Sequence, residues 1–321
     1  MFENLGQLPL ARYRFTFRMQ QPLALPPYAG SLIRGQFGAS LRRVACMTGA
    51  QSCEGCTLRQ SCPYSRVFEA PAPDGHAMQN FSHVPNPYVI EPPPYGTRLI
   101  AAEDTLRFGL VLIGDAVRQL PLITFALEKA VARGLGPFDA RAAGTLEEVA
   151  WQHGADWQDE DHFSVIWQPG DPALAPHDAS VPVPPAISDR LRLQLHTPMR
   201  LQHQGRPLRP AELSPRKLLA DLLRRLSLLA EFHAAQPALV EDPRALVHHA
   251  ESLAQSGDLR WLDWSRYSSR QQQEMTLGGV VGEWQLQGDC APLLPWLWLG
   301  QWLHVGKNAT MGMGQYRLLW D

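Results

Sequence analysis

Residues 12–19 alternate in character, with Tyr13, Phe15, Phe17 and Met19 apolar and Arg12, Arg14, Thr16 and Arg18 polar. Successive side chains of a strand point to opposite faces, so this pattern predicts a half-buried strand with a basic outer face. The alternation returns at 190–196, where Leu191, Leu193 and Leu195 oppose Arg192, Gln194 and His196, and both runs are soon followed by a proline, Pro22 and Pro198. The period then changes to that of a helix: Ser214 suits its cap, Pro215 its first position, and Leu218, Leu219, Leu222, Leu223, Leu226 and Leu229 form an apolar stripe. A Trp/Tyr-rich segment at 261–267, a strand at 280–287, an apolar helix at 291–303 and a strand at 315–320 complete a β-α-β-β-α-β order. The first half follows the same plan, with strand 12–19, helix 31–45, a short strand near 88–91, strand 105–113, helix 121–133 and a strand within 141–151. The expected architecture is α+β, two tandem ferredoxin-like (RRM-like) domains.

Residues 169–186 hold six prolines, which predicts an extended linker between a first domain at 1–168 and a second at 187–321. With 321 residues, two domains are also what chain length suggests. The net charge of −2 excludes an overall basic attraction to nucleic acid, so any such partner must be held by local patches. Of the basic residues only Lys129, Lys217 and Lys307 are lysines, and the rest are arginines, which suit bidentate phosphate contacts. Residues 1–70 carry eight arginines against Glu3, Glu54 and Glu69, whereas 139–171 is acidic apart from Arg141. The acidic stretch is expected to face solvent or a protein and to avoid phosphate. Met1–Leu10 lacks the basic cluster of a secretory signal, and the apolar run Pro292–Leu303 is too short to span a bilayer, so a cytoplasmic protein without a membrane partner is expected.

Four of five cysteines, Cys46, Cys53, Cys56 and Cys62, form C-x6-C-x2-C-x5-C. Four thiolates suit a structural zinc ion, and the same set suits an iron–sulfur cluster, so a Cys-rich metal-binding insertion at about 46–90 is expected in the first domain. Cys290, among apolar residues, is expected in the core.

The sharpest motif is His304-Val-Gly-Lys-Asn-Ala-Thr-Met-Gly-Met-Gly-Gln-Tyr316, before the last strand. Gly306, Gly312 and Gly314 free the backbone for close approach, and Lys307, Asn308 and Thr310 offer donors to an oxyanion. It is no nucleotide-binding P-loop, because the Gly-Lys pair lacks a following Ser/Thr and helix; a tight helix-to-strand turn is the structural alternative.

Such a loop in a tandem ferredoxin-like protein resembles the RAMP superfamily of CRISPR systems, and within it the precursor-crRNA-processing endoribonucleases, the Cas six family. Leu195-His-Thr-Pro-Met-Arg-Leu201, Ser265-Arg-Tyr-Ser-Ser-Arg270, Leu277-Gly-Gly-Val-Val-Gly282 and the loop itself carry the resemblance over nearly all of 190–321. In the first half it rests on Ile33-Arg-Gly-Gln-Phe-Gly38, the cysteines and Pro85-Asn-Pro-Tyr-Val-Ile90. The resemblance implies cleavage of CRISPR repeat RNA without metal, by attack of a ribose 2′-hydroxyl on the adjacent phosphate. Base, acid and cation are then required.

Many members of that family carry a catalytic histidine on or near the first helix; Ser31–Ala45 contains none. His304, three residues before Lys307, is the first substitute, with capping of the preceding helix as its structural alternative. His83 is second and His76 third, while Tyr28 and Arg34 flank the first helix and would orient a phosphate. Arg266, Tyr267 and Arg270 are the expected RNA contacts beside the loop, with Trp261 and Trp264 assigned to the core. An endoribonuclease making guide RNA is therefore expected, with other CRISPR effector subunits as further partners. A non-catalytic guide-RNA-binding subunit is the alternative, and a metal or redox sensor built on the cysteines a third.

Overall fold

The computed structural model describes residues 8–71, 84–96, 98–137, 140–184, 189–237, 239–268 and 273–319. They form two compact units, the first of residues 8–180 with 228–237, the second of 181–227 with 238–321.

In the first unit the strands are β1 (Leu10–Met19), β2 (Leu23–Leu25), β3 (Tyr88–Glu91), β4 (Arg98–Ile100), β5 (Thr105–Ile113), β6 (Gly144–Gln152) and β7 (Phe163–Trp167). Its helices are α1 (Gly30–Ala45), α2 (Pro63–Phe68) and α3 (Leu120–Ala132). The main sheet has the order β3-β5-β1-β6-β7, all neighbours antiparallel, and β2 pairs with β4 apart from it. Leaving out β7, that order is the ferredoxin-like one. The apolar side of β1, Tyr13, Phe15, Phe17 and Met19, is fully buried in one cluster with Ile33, Phe37 and Leu41 of α1 and Ile123, Leu127 and Val131 of α3. Phe17 stacks on Phe108 across the register with β5, ring centroids 5.6 Å apart.

The other side of β1 corrects two expectations. Arg12 is buried, its Nε donating to both Glu91 oxygens at 3.0 and 2.9 Å and its Nη1 to Gln152 Oε1 at 2.7 Å. Arg14 meets Glu160 at 2.6 Å and lies over the Phe163 ring, and Arg18 meets Glu147 at 2.9 Å. Part of the acidic stretch thus pairs with the basic face through Glu147 and Glu160, while Asp159, Glu160, Asp161 and Asp171 remain exposed as expected. A charge removed from water needs a partner: Glu91 of β3 supplies it for Arg12, and β6 and the turn before β7 supply carboxylates for Arg18 and Arg14.

The second unit contains β8 (Arg190–Met199), β9 (Gln202–His203), β10 (Arg206–Pro207), β11 (Ala254–Ser268), β12 (Gln273–Gln287) and β13 (Tyr316–Leu319). Its helices are α4 (Pro215–Ala234), whose last residues group with the first unit, α5 (Pro243–His249) and α6 (Leu294–Leu303). Sheet order β11-β12-β8-β13 repeats the ferredoxin-like arrangement. Ser214 caps α4, its Oγ accepting from Lys217 N at 3.2 Å, and the six stripe leucines are all buried. α6 is buried on every side, and Pro295 opens it after a turn in which Leu293 N and Leu294 N both donate to Cys290 O; Cys290 itself is buried. The division between units falls at 180/181, within the proline-rich stretch. Up to there that stretch lies on the first unit, with His177 Nε2 2.8 Å from Tyr13 Oη and Ala179 O accepting from Leu10 N. No helix among the described residues is long and apolar enough to cross a membrane.

Candidate nucleic-acid interface

The glycine-rich segment leaves α6 at His304, which closes the helix with φ 55° and donates its N–H to Gly300 O at 2.9 Å. From there the chain folds against the end of β8. Lys307 N donates to Arg200 O at 3.0 Å, Gly314 N to Pro198 O at 3.1 Å, and Val305 N to Gly314 O at 3.2 Å. Thr197 ties the far side, donating its hydroxyl to Gly312 O at 2.6 Å while accepting from Gln315 N at 2.9 Å. Gly306 has φ 96° and Gly314 φ 75°, and a Cβ on Gly314 would lie 1.9 Å from Val305 O. These glycines let chain pass against chain.

The geometry sorts the expected loop residues. Lys307 is exposed, and Asn308 and Thr310 are partly so; Asn308 adopts the left-handed conformation at φ 64°. Gly312 and Gly314 are buried and shape the turn, and the main-chain donors of 305, 307, 311, 312, 314 and 315 are spent on protein oxygens. His304 is wholly buried, which corrects its placement at the loop mouth. At the same end of α6, Arg225 of α4 donates its Nε to Leu303 O at 2.9 Å. Burial lowers the Arg225 guanidinium to about 10.

Beside the loop, Arg200 and Arg209, neither expected as an RNA contact, stand with Trp261. Arg200, at the end of β8, donates Nη1 to Gly278 O of β12 at 2.7 Å; burial first, and then the neighbouring Arg209 charge, lower its pKa. The Arg209 guanidinium lies 3.9 Å from the Trp261 ring centroid, and Trp261 Nε1 donates to Asp263 Oδ1 at 2.6 Å. Trp264 is core as expected, whereas Trp261 is only partly buried and carries a cation on its face. Arg200 lies inside the quoted segment 195–201, so a signal for it existed; Arg209 had none, since its partner is 52 residues away. Arg266 and Tyr267 occupy β11 opposite Met275 and Glu274, and Arg270, His76 and His83 lie outside the described residues.

In the first unit Tyr28 is buried at 3% exposure. Arg34 donates Nε to Tyr88 Oη at 3.0 Å and lies 4.6 Å over the Phe68 ring, and burial pushes the Tyr88 phenol up to about 12. Arg34 is therefore engaged inside its own domain, and the pair does not form an open phosphate site as placed. Cys46, Cys53, Cys56 and Cys62 all line one cavity of about 140 Å³. A hydrogen bond with Thr48 lowers the Cys46 thiol, whereas burial raises that of Cys53.

Comparison with known proteins follows the two units. Residues 8–179 match the AF_1859_N family model, an N-terminal domain, and residues 193–316 match the model described as CRISPR-associated endoribonuclease Cas6. A protein of Archaeoglobus fulgidus, described as uncharacterized, is 29% identical over 126 residues, which cover 39% of this chain and only 40% of that protein. Among solved structures, a Cas6 product complex superposes with a TM-score of 0.57 at 18% identity, covering 97% of this chain and 99% of that one. Thermus thermophilus Cas6 gives 0.53 at 17% identity over the same shares. A chain of a partial Cas6-RT-Cas1–Cas2 complex gives 0.54 at 15% identity, covering 97% of this chain and 46% of that one. At these identities the likeness is one of fold.

Proposed function

We propose that this chain, which belongs to the AF_1859_N family and whose residues 193–316 match the CRISPR-associated endoribonuclease Cas6 model, cleaves CRISPR repeat RNA to release guide RNA. The observation that carries the reading is the basic and aromatic group at the glycine-rich turn. Lys307 projects from a main chain bonded to Arg200, the charge of Arg209 acts on Arg200, and Arg209 lies on Trp261, a guanidinium on an indole face. That combination suits single-stranded RNA, whose unstacked bases lie on aromatic or guanidinium planes while cations hold the backbone. Arg266, Tyr267 and Arg270, on or beyond the same hairpin strand, extend the contact.

In the proposed step the ribose 2′-hydroxyl gives its proton to a base and its oxygen bonds to the adjacent phosphorus. The bond from phosphorus to the 5′-oxygen breaks, and that oxygen takes a proton. A cyclic phosphate and a 5′-hydroxyl result, with no metal consumed or required. Lys307 is the cation that stabilises the crowded phosphorane, and His83 is the assigned base, since His304 is enclosed. The repeat RNA is the substrate, other CRISPR proteins are the assembly partners, and the cytoplasm is the site of action.

The non-catalytic guide-RNA binder remains the second reading, favoured by the absence of a histidine from α1 and by the burial of His304. Purified full-length protein, incubated with labelled cognate repeat in EDTA and checked for fold by circular dichroism, separates them. The first reading expects a cyclic-phosphate product, and a loss of roughly 10²- to 10⁴-fold in single-turnover rate for His83→Ala. Tight binding with no cut by the parent protein sinks it in favour of the second.

A further inference from the structure

RNA cleavage leaves four cysteines without a task. We infer that Cys46, Cys53, Cys56 and Cys62 bind one zinc ion as a closed tetrathiolate that staples the end of α1 to the start of α2.

The placement of the four residues argues for it. Cys46 is the residue on which α1 ends, its N–H donating to Arg42 O at 2.9 Å, and Cys62 is the residue from which α2 begins. Between them Cys53 and Cys56 close a turn in which Cys56 N donates to Cys53 O at 3.3 Å, with Gly55 left-handed at φ 72°. Such a turn lets two thiols with two residues between them point to the same side. All four line the same cavity of about 140 Å³, and among the described residues no carboxylate or imidazole lines it. Thr48 Oγ1 lies 3.8 Å from Cys46 Sγ and 3.9 Å from Cys56 Sγ, so a thiol from the end of α1 and one from the middle turn already approach one hydroxyl.

In this placement no three His, Cys, Asp or Glu side chains among the described residues are close enough to hold an ion. Ligation therefore requires the thiols to turn inward about their side-chain torsions, each giving its proton to solvent. A donor set of soft thiolates without hard oxygens selects zinc over calcium or magnesium, and four protein ligands leave no open position for a substrate.

The segment also needs a crosslink. Residues 46–62 form neither strand nor helix, and their large apolar side chains turn outward, Met47 being 89% and Leu58 38% exposed. With little core to hold it, the segment would draw its order from the metal, as small metal-bound modules do. What it secures is α2, whose Phe68 packs on Gly38 of α1 and lies beneath the Arg34 guanidinium.

The test uses the full chain, produced in medium containing zinc and iron and purified without chelator. Elemental analysis is expected to give about one zinc per chain. The count should fall to background in Cys56→Ser and persist in Cys290→Ala. Because an unfolded Cys56→Ser protein would also lose metal, a second readout is taken on parental protein produced with cobalt: thiolate-to-cobalt charge transfer with the strong visible bands of a tetrahedral site. Hydrogen exchange on the metal-stripped parent should quicken across 46–68 and stay unchanged across 190–199. Zinc with the cobalt signature supports the site. Metal-free folded protein, iron with the visible absorption of a cluster, or these cysteines recovered as disulfides would each overturn it.

Discussion

One methyl group tests the turn that follows α6. Gly314 has φ 75°, and its missing Cβ would stand 1.9 Å from a carbonyl oxygen, whereas Gly205 has φ 81° with nothing within 4 Å of the same point. Both positions disfavour a side chain by about 1–3 kcal/mol through conformation alone. Gly314→Ala adds a contact with main chain that cannot yield, so its melting temperature should fall well below that of Gly205→Ala, and repeat binding should weaken with it. Equal melting temperatures would mean that the turn relaxes freely and that the loop is not built around close approach. The same scale explains why His304 is buried although Lys307, three residues on, is exposed. Proximity to Lys307 along the chain is a one-dimensional signal, and a left-handed residue at the helix end turns the imidazole inward while the lysine goes out.

At the scale of elements, α1 offers two glycines three residues apart with opposite expectations. Gly35 is exposed with open space at its Cβ position, so Gly35→Ala should stabilise by up to about 1 kcal/mol through helix propensity. Gly38 faces Phe68, whose ring lies 2.1 Å from an added Cβ, so Gly38→Ala should cost about 1–3 kcal/mol by overpacking. Urea denaturation of both variants checks the pair, and a stabilised Gly38→Ala would show that α2 is free to shift. Most elements were legible because their periodicity was clean: the leucine stripe of α4, the alternation of β1 and β8, and the apolar run of α6 all form where the pattern put them. The start of β11 was not. Residues 254–260 are largely exposed, so no apolar alternation marks them, and Gly257 and Gly282 interrupt the hairpin with positive φ. Nor does a strand pattern reveal what covers its polar face. Arg12 looks like a surface residue until Glu91 and Gln152, far away in sequence, close on it.

For the whole molecule, charge shows how local composition and folded surface diverge. The arginine excess of the first 70 residues predicts a phosphate-attracting face, yet Arg12, Arg14 and Arg18 are each matched by a carboxylate of their own unit, as is Arg107 by Glu160. The cations beside the glycine-rich turn are differently placed: Lys307 is exposed, and Arg209 is held by an aromatic face. RNA affinity should therefore depend on a few residues of the second unit, although arginines abound elsewhere. Each phosphate contact releases counterions, so its removal should lower the slope of log K against log salt by about 0.7 to 0.9, the range spanning single-stranded and duplex-like geometry. Lys307→Ala and Arg209→Ala should each show that loss, whereas Arg14→Gln and Arg18→Gln should leave the slope unchanged, because their charges are already answered within the fold. Binding isotherms at several salt concentrations on all four variants decide the matter. A slope that falls for Arg14→Gln and Arg18→Gln but not for Lys307→Ala would move the RNA onto the first sheet, and would mean that the Glu147 and Glu160 pairings open when RNA arrives.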